Sequence, residues 1–137
     1  MAVVNLTGGQ SAIPFDGLNK LYRIKNRIDF SQNNVSASDV VHTVAVKANT
    51  HVKQVYVKLI TPEGSTATCT IGDAGDADGL IASANLNASA GTITHNTITD
   101  AYANGRIYTS ETDILLIPAH NLSNAVVDIM VVCQDLN

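Results

Sequence analysis

Short runs of alternating apolar and polar residues, separated by turn residues, restrict the fold of this chain more than any other feature. Alternation with a period of two is typical of a strand that buries one face. The run near the end of the sequence shows it most clearly, because every second residue is apolar: Ala125, Val127, Ile129, Val131 and Cys133. Similar runs recur from residue 21 onward, and turn signals such as Pro62 and Gly105 divide them. No segment has a helical period, so the pattern predicts strands throughout.

The number and spacing of these runs predict an all-β protein built as an antiparallel β-sandwich. About eight strands, with turn signals roughly 8–15 residues apart, fit an eight-stranded jelly roll of two sheets with Greek-key connections. An immunoglobulin-like sandwich is the alternative. It is less favoured because the chain has no Trp and because Cys69 and Cys133 lack the flanking pattern of that fold. The 137 residues fit one domain, which we place at residues 21–137.

The composition of residues 1–20 predicts an extended N-terminal arm in front of this domain. The pair Gly8-Gly9 and Pro14 interrupt two apolar patches, which is typical of extended chain and not of a helix. Two alternatives stay open at this point: the arm lies across a neighbouring subunit, or it folds back on its own sheet. The apolar residues with which such an arm would bind a partner are Leu6, Ile13 and Phe15.

Charge is divided unevenly along the chain. The net charge is −4, but residues 1–58 carry +4 and residues 59–137 carry −8. Such a division can mark an electrostatic partner surface, unless the sandwich interleaves the two halves so that the division disappears in space. The charged fraction of only 15% also suits a surface that neighbouring subunits cover.

A basic stripe lies on the first strand that the pattern predicts inside the domain. Arg23, Lys25 and Arg27 occupy every second position, so they share one face of the strand, opposite Ile24 and Ile28. The stripe is either a solvated strand face or a contact with an acidic surface on another subunit. Nucleic acid is not predicted as a partner, because the chain is acidic overall and has no Trp for base stacking.

A segment rich in glycine and aspartate joins two β-like runs. Asp73, Asp76 and Asp78 are interspersed with glycines there, and carboxylates on a tight loop can bind Ca²⁺. The spacing is not that of an EF-hand, however, and the ligand Glu expected of that motif is missing. Gly and Asp are also the residues that tolerate positive φ and hydrogen-bond the backbone of turns. We therefore interpret the segment as a turn, keep calcium as a secondary hypothesis, and predict no cofactor.

The sequence contains no catalytic motif. It has neither a Gly-x-Ser-x-Gly nucleophile motif nor a His-x-His pair of metal ligands, so we predict that the chain is not an enzyme. His42 is expected to point the same way as Val44 and Val46 and to be a half-buried, hydrogen-bonded imidazole. Cys69 and Cys133 lie in apolar runs, which predicts buried, reduced thiols in a protein made in a cytoplasm. No run of 18 apolar residues exists, so no membrane partner is predicted.

Residues 40–136 resemble a class of small structural proteins of tailed bacteriophages. The features that carry the resemblance are a strand at residues 52–61, the Gly/Asp segment with its flanks at 70–83, and the stretches at 85–92 and 131–136. The group that this chain resembles most is the capsid cement, or decoration, proteins with a jelly-roll fold. These motifs are turns and strands, so the resemblance supplies no active-site residues.

The resemblance implies a structural virion protein that is made in the host cytoplasm and binds the outer surface of a phage head. Such a cement protein is expected to form a homotrimer and to bridge subunits of the major capsid protein, so that many modest contacts add through multivalency. The alternative function is a receptor- or carbohydrate-binding β-sandwich module of a phage tail or head fibre. Such sites display exposed aromatic rings. The tyrosines available for this purpose are Tyr22, Tyr56, Tyr102 and Tyr108.

Overall fold

Strands make up almost all of the regular structure. A computed structural model describes residues 1–11 and 20–137, and over these residues it contains one short 3₁₀ turn, Thr7–Gly9, and no α-helix. The ten strands are β1 (Val3–Asn5), β2 (Leu21–Asp29), β3 (Val40–Val46), β4 (Thr50–Thr61), β5 (Thr68–Gly72), β6 (Ile81–Asn85), β7 (Ile93–His95), β8 (Arg106–Tyr108), β9 (Thr112–Pro118) and β10 (Val126–Asp135). Part of the predicted arm, with Ile13 and Phe15, lies outside the described residues.

The strands form two sheets that share one hydrophobic core. Sheet A has the strand order β1-β3-β9-β5-β6, and sheet B has the order β2-β10-β4-β7, with β8 also pairing β4. The neighbouring strands are antiparallel, except for the short parallel pair of β1 and β3. The predicted all-β sandwich is therefore confirmed.

The structure has ten strands where the sequence pattern predicts about eight. The two additional strands are β1 and β6. β6 reads Ile-Ala-Ser-Ala-Asn, in which small residues hide the alternation, and its pairing with β5 shifts register between Cys69 and Ile71. β1 has only three residues, which are too few for a period of two to be recognised.

The buried face of β10 lies at the centre of sheet B. Four of its inward residues are completely buried, as the alternation predicts: Val127, Ile129, Val131 and Cys133. Burying a side chain of this kind stabilises the fold by about 1.5–3 kcal/mol. β10 pairs with β2 on one side and with β4 on the other, so it lies between the two strands of sheet B that come first in the chain.

A β-bulge in β3 reverses the direction predicted for His42. The pairing of β3 with β9 shifts register between His42 and Val44, and Thr43 and Val44 are both buried. A bulge adds one residue to a strand and re-aims the side chains on either side of it. His42 therefore lies on the outer face, away from Val44, and the predicted direction is wrong. It is nevertheless a half-buried, hydrogen-bonded imidazole, because its Nδ1 lies 2.8 Å from Asp113 Oδ2.

Residues 1–11 cover the seam between the two sheets. β1 extends sheet A beside β3, whereas the N–H group of Ser11 donates to the carbonyl oxygen of Lys25 in sheet B at 2.9 Å. Leu6 is half-buried and packs against the core. Of the two alternatives for the arm, folding back on its own sheets is the one found for residues 1–11.

Polar side chains hold this N-terminal segment in place. The buried Asn26 donates from Nδ2 to the carbonyl oxygens of Leu6 (2.8 Å) and Thr43 (2.7 Å). The side chain of Gln10 pairs with the backbone of Ala45, since Oε1 accepts its N–H group at 2.6 Å and Nε2 donates to its carbonyl oxygen at 3.2 Å. The segment thus satisfies backbone groups that would otherwise be left at the edges of both sheets.

Candidate partner-binding surfaces

The predicted basic stripe lies on the outer face of β2, at one edge of sheet B. Arg23, Lys25 and Arg27 are exposed, whereas Ile24 and Ile28 on the opposite face are buried. Successive side chains of a strand point to opposite faces. The structure therefore brings the three cations into one row, as the alternation indicates.

A buried carboxylate on the neighbouring strand holds two of these three cations. Asp128 on β10 accepts two hydrogen bonds from Arg27, at 2.7 Å from Nε and 3.0 Å from Nη2. Lys25 Nζ lies 3.5 Å from the same carboxylate. The hydrogen bond from Arg27 lowers the pKa of Asp128, so the carboxylate stays ionised at neutral pH. No carboxylate in the described part of the chain pairs with Arg23.

Cross-strand neighbours extend this row into a surface of three strands. β10 places Met130 beside Lys25 and Val132 beside Arg23, and β4 follows with Tyr56 and Gln54. We call this surface the basic face; its members are Arg23, Lys25, Arg27, Gln54, Tyr56, Lys58, Asp128, Met130 and Val132. The sequence pattern reveals only the β2 part of it, because the other members come from strands that are distant in the chain.

The basic face concentrates the positive charge of the molecule. Its four cations and one carboxylate give it a charge of +3, so the rest of a chain with net charge −4 carries −7. The uneven charge along the sequence therefore persists in space at this face, although the two halves of the chain are interleaved. A surface of this kind attracts acidic partners and repels basic ones.

One end of the basic face continues into exposed apolar side chains. Leu21 on β2 is 60% exposed and Ile107 on β8 is 55% exposed. The two belong to one cross-strand row, in which Gln134 and His51 lie between them. Apolar side chains next to Arg, Tyr and Met are typical of the buried centre of protein interfaces.

The Gly/Asp segment forms the loop between β5 and β6, and Asp73 organises it. Asp73 Oδ1 accepts hydrogen bonds from the backbone N–H groups of Gly75 (2.9 Å) and Asp76 (2.8 Å). Its Oδ2 accepts the hydroxyl of Tyr108 at 2.8 Å and lies 3.6 Å from Arg106 Nε. Burial, together with the hydrogen bond to Asp73, raises the pKa of Tyr108, so its hydroxyl remains a donor at neutral pH. The segment is thus a turn fixed by local hydrogen bonds, as its composition indicates.

Two glycines of this loop are required by close approaches. A Cβ atom on Gly72 would lie 2.1 Å from the carbonyl oxygen of Asp76, and one on Gly79 would lie 2.5 Å from the ring of Tyr102. The guanidinium of Arg106 lies 4.5 Å from the centroid of the same ring. The ring of Tyr102 is therefore covered by Gly79 and by Arg106.

The three carboxylates considered for calcium do not form a ligand set. Over residues 1–11 and 20–137, no three His, Cys, Asp or Glu side chains are grouped so that they could hold a metal ion. Both oxygens of Asp73 already accept hydrogen bonds from the loop and from Tyr108. A hydrogen bond with Asp78 raises the pKa of Asp76, as expected for two carboxyl groups that lie close together. A cation at this loop would have to compete with these hydrogen bonds.

Sequence patterns do not single out Glu63, yet its carboxylate fixes the loop before β10. Glu63 is 4% exposed and accepts the backbone N–H groups of Ser123 (2.8 Å), Asn124 (3.0 Å) and Ala125 (2.8 Å). Burial alone would raise the pKa of Glu63, but these hydrogen bonds outweigh burial and the pKa is lowered. The only local signal is a Glu inside a Pro-Glu-Gly turn, and it does not reveal partners about sixty positions away.

The two thiols are free and buried, as predicted. Burial raises the pKa of Cys69 and of Cys133 to about 12, so neither is a nucleophile at neutral pH. In the part of the chain that the structure describes, no helix has the length and apolar character needed to cross a membrane.

Comparison with known proteins places the fold beside chains of phage capsid structures. The sequence matches no protein-family model and no curated protein. Three solved structures contain similar chains. They are the capsid of Ralstonia phage GP4 (TM-score 0.72, 14% identity, 98% of each chain covered), the acidic stable capsid of Helicobacter pylori bacteriophage KHP30 (0.63, 14%, 85% of this chain and 89% of that chain), and the Cyanophage Pam1 capsid asymmetric unit (0.58, 17%, 91% and 92%). At 14–17% identity these likenesses show a shared fold, and it extends over most of each chain.

Proposed function

We propose that this chain is a structural virion protein that binds the outer surface of a phage head as a cement, or decoration, protein. It stabilises the head by bridging subunits of the major capsid protein. The observation that carries the proposal is the extent of the fold match, since chains in three phage capsid structures cover 85–98% of this one. A match over both full chains points to the same kind of building block and not to a shared fragment.

The strand order supports the jelly-roll assignment. When β1 and β8 are set aside, four strands stay in each sheet, in the orders β3-β9-β5-β6 and β2-β10-β4-β7. The strands β2, β3, β4 and β5 lie alternately in sheet B and sheet A, so the chain crosses repeatedly between the sheets. Eight strands in two sheets with such crossings are the arrangement of a jelly roll. It provides a rigid block with two broad outer faces.

To bridge capsid subunits, a cement protein must contact several partners at once. The outer faces of the two sheets differ in charge, so each face can bind a different partner. The basic face carries +3, whereas the outer face of sheet A presents uncharged side chains such as Thr68, Thr70 and Ile117 beside the hydrogen-bonded pair of His42 and Asp113. In a homotrimer each contact with the shell occurs three times, so contacts that are weak alone give stable binding together. The residues that we propose to contact partners are Leu6, Ile13, Phe15, Arg23, Lys25 and Arg27. Among those with described positions, the cations are exposed and Leu6 is half-buried.

Decoration of phage heads tests this function. The purified chain is added to expanded heads that lack it, and its position on the particle is located by electron microscopy of negatively stained samples. We expect regular added density on the outside of the head and greater resistance of the decorated heads to heat. Heads that already carry the protein are the control and should bind no more of it. Density confined to the tail, or no binding to heads, would contradict the proposal.

The alternative, a receptor- or carbohydrate-binding module of a tail or head fibre, requires aromatic rings that are free to stack on sugars. Tyr108 is buried, and Tyr102 is covered by Arg106 and Gly79. Tyr56 packs against His95, with ring centroids 5.8 Å apart, and the half-buried Tyr22 has Lys47 Nζ over its ring, 5.8 Å from the centroid. A glycan array is therefore expected to show no binding, and a specific sugar ligand would favour the alternative.

A further inference from the structure

The basic face has a complementary surface on the same chain. Asp76 and Asp78 in the β5–β6 loop and Glu111 before β9 have no cationic partner among residues 1–11 and 20–137. The loop and Glu111 are neighbours, because Ala74 and Glu111 line the same open cavity. We call Asp76, Asp78 and Glu111 the acidic end, since they lie at one end of the sandwich.

Two cations of the basic face are equally unpaired. Arg23 and Lys58 have no carboxylate partner in the described ranges, whereas Arg27 and Lys25 share Asp128. Among the residues that the structure describes, therefore, neither the acidic end nor these two cations of the basic face have a partner of opposite charge. Charges left in this state on a folded surface are available to a partner of opposite sign.

We propose that this chain associates with a second copy of itself, by placing the basic face of one protomer against the acidic end of the next. A two-fold contact that joined two basic faces would oppose two charges of +3 and is disfavoured. When the basic face and the acidic end of one copy meet two different neighbours, the contact is head-to-tail. Contacts of this kind close into rings when the rotation between copies permits it.

Apolar side chains add to the charge pairing in this contact. Met130 and Val132 on β10 and Tyr56 on β4 lie beside the row of cations on β2, and the exposed Leu21 and Ile107 lie at one end of the face. Covering such side chains removes apolar surface from water and supplies affinity. The charges around them set the orientation and the rate of encounter.

This self-association rests on the proposed function in one respect, since a cement protein is expected to act as an oligomer. The contact itself is tested in free solution, where no phage head is present. Failure of the contact and failure of head binding are therefore separate results.

Sedimentation velocity of the purified chain, at low salt and at about 0.5 M salt, is the test. We expect an oligomer that dissociates at the higher concentration, because salt screens exposed charges. Arg23→Glu with Lys58→Glu should weaken association by about tenfold or more in Kd, and Asp76→Lys with Asp78→Lys should do the same. These four side chains have no ion pair with any other described residue, so the variants are expected to keep the fold, which thermal melts check.

The variant that combines all four substitutions separates this contact from a general effect of charge. It exchanges the signs of the two patches, so association is expected to return. Ser65→Glu with Thr66→Glu is the matched control, because these exposed residues lie in the turn before β5, at the other end of that strand from the Gly/Asp loop. It should leave association unchanged.

Several results would overturn the inference. They are a wild-type chain that is monomeric at low salt, association that survives either charge reversal, and a combined variant that stays dissociated. A monomeric chain that binds heads through Arg23 and Lys58 would assign the basic face to the shell protein and leave the proposed function intact. An oligomer that responds to the substitutions as expected but binds no head would support the contact and contradict the function.

Discussion

Two buried carboxylates join segments that are far apart in the chain. Glu63 connects the turn after β4 to the loop before β10, and Asp128 connects β10 to the cations of β2. They are 4% and 3% exposed. A buried donor that loses its acceptor costs about 1–3 kcal/mol, so each carboxylate matters through the groups it satisfies.

The substitution Glu63→Ala is expected to destabilise the fold by about 2–4 kcal/mol. It leaves the backbone N–H groups of Ser123, Asn124 and Ala125 without the buried carboxylate that accepts them. Urea unfolding followed by circular dichroism measures the change. Glu111→Ala removes the same group from an exposed position and should change the free energy of unfolding by less than about 0.5 kcal/mol. Equal effects of the two substitutions would show that the hydrogen bonds of Glu63 do not stabilise the fold.

Among the elements, the N-terminal segment contains a close contact between a glycine and a buried side chain. A Cβ atom on Gly9 would lie 2.7 Å from Asn26 Oδ1, whereas one on Gly8 would meet nothing within 4 Å. Asn26 is the buried side chain that donates to the carbonyl oxygen of Leu6. The two neighbouring glycines therefore form a matched pair.

Gly9→Ala is expected to loosen residues 1–11 from the sandwich, and Gly8→Ala is not. The added methyl group of Gly9→Ala displaces the Asn26 side chain and weakens its hydrogen bonds to Leu6 and Thr43. Amide hydrogen exchange measures this, since exchange of the N–H groups of Leu6 and Ser11 should become faster. Protection that is unchanged in Gly9→Ala, or lost equally in both variants, would contradict this role of Asn26.

The sequence predicts the long strands well because their buried faces follow a strict period of two. The inward residues of β10 and the exposed cations of β2 follow from alternation alone. His42 does not, because the bulge in β3 depends on pairing with β9, and no local pattern encodes it. The same limit applies to the candidate surface: Arg23, Lys25 and Arg27 share a strand, whereas Lys58 joins them only through the register of β10.

For the whole molecule, several lowered pKa values predict sensitivity to acid. The pKa of Asp128 is lowered by Arg27, that of Asp135 by Lys47, and that of Glu63 by backbone N–H groups that outweigh its burial. The pKa of such a carboxyl group is about 4 in an unfolded chain. Because the folded value is lower, the unfolded chain binds protons more readily, so the stabilisation is present above about pH 4 and is lost as pH falls through the folded values.

Thermal unfolding at about pH 7, 5 and 3 is expected to show this loss. The three carboxyl groups should change Tm little between the first two values and lower it clearly at the third. Asp128→Asn removes one of the responsible groups, so its Tm should fall by less between pH 5 and pH 3 than that of the unaltered chain. A Tm that rises on acidification would contradict the assignment.

The central position of β10 has a consequence for how the protein is made. β10 leaves the ribosome after the nine other strands that the structure describes, yet both β2 and β4 pair with it. Arg27 can form its hydrogen bond with Asp128 only after another 101 residues have been synthesised. Sheets that join such distant segments fold slowly, on the scale of milliseconds to seconds. Sheet B can therefore be completed only after β10 has been synthesised, and until then β2 and β4 present open edges to other nascent chains.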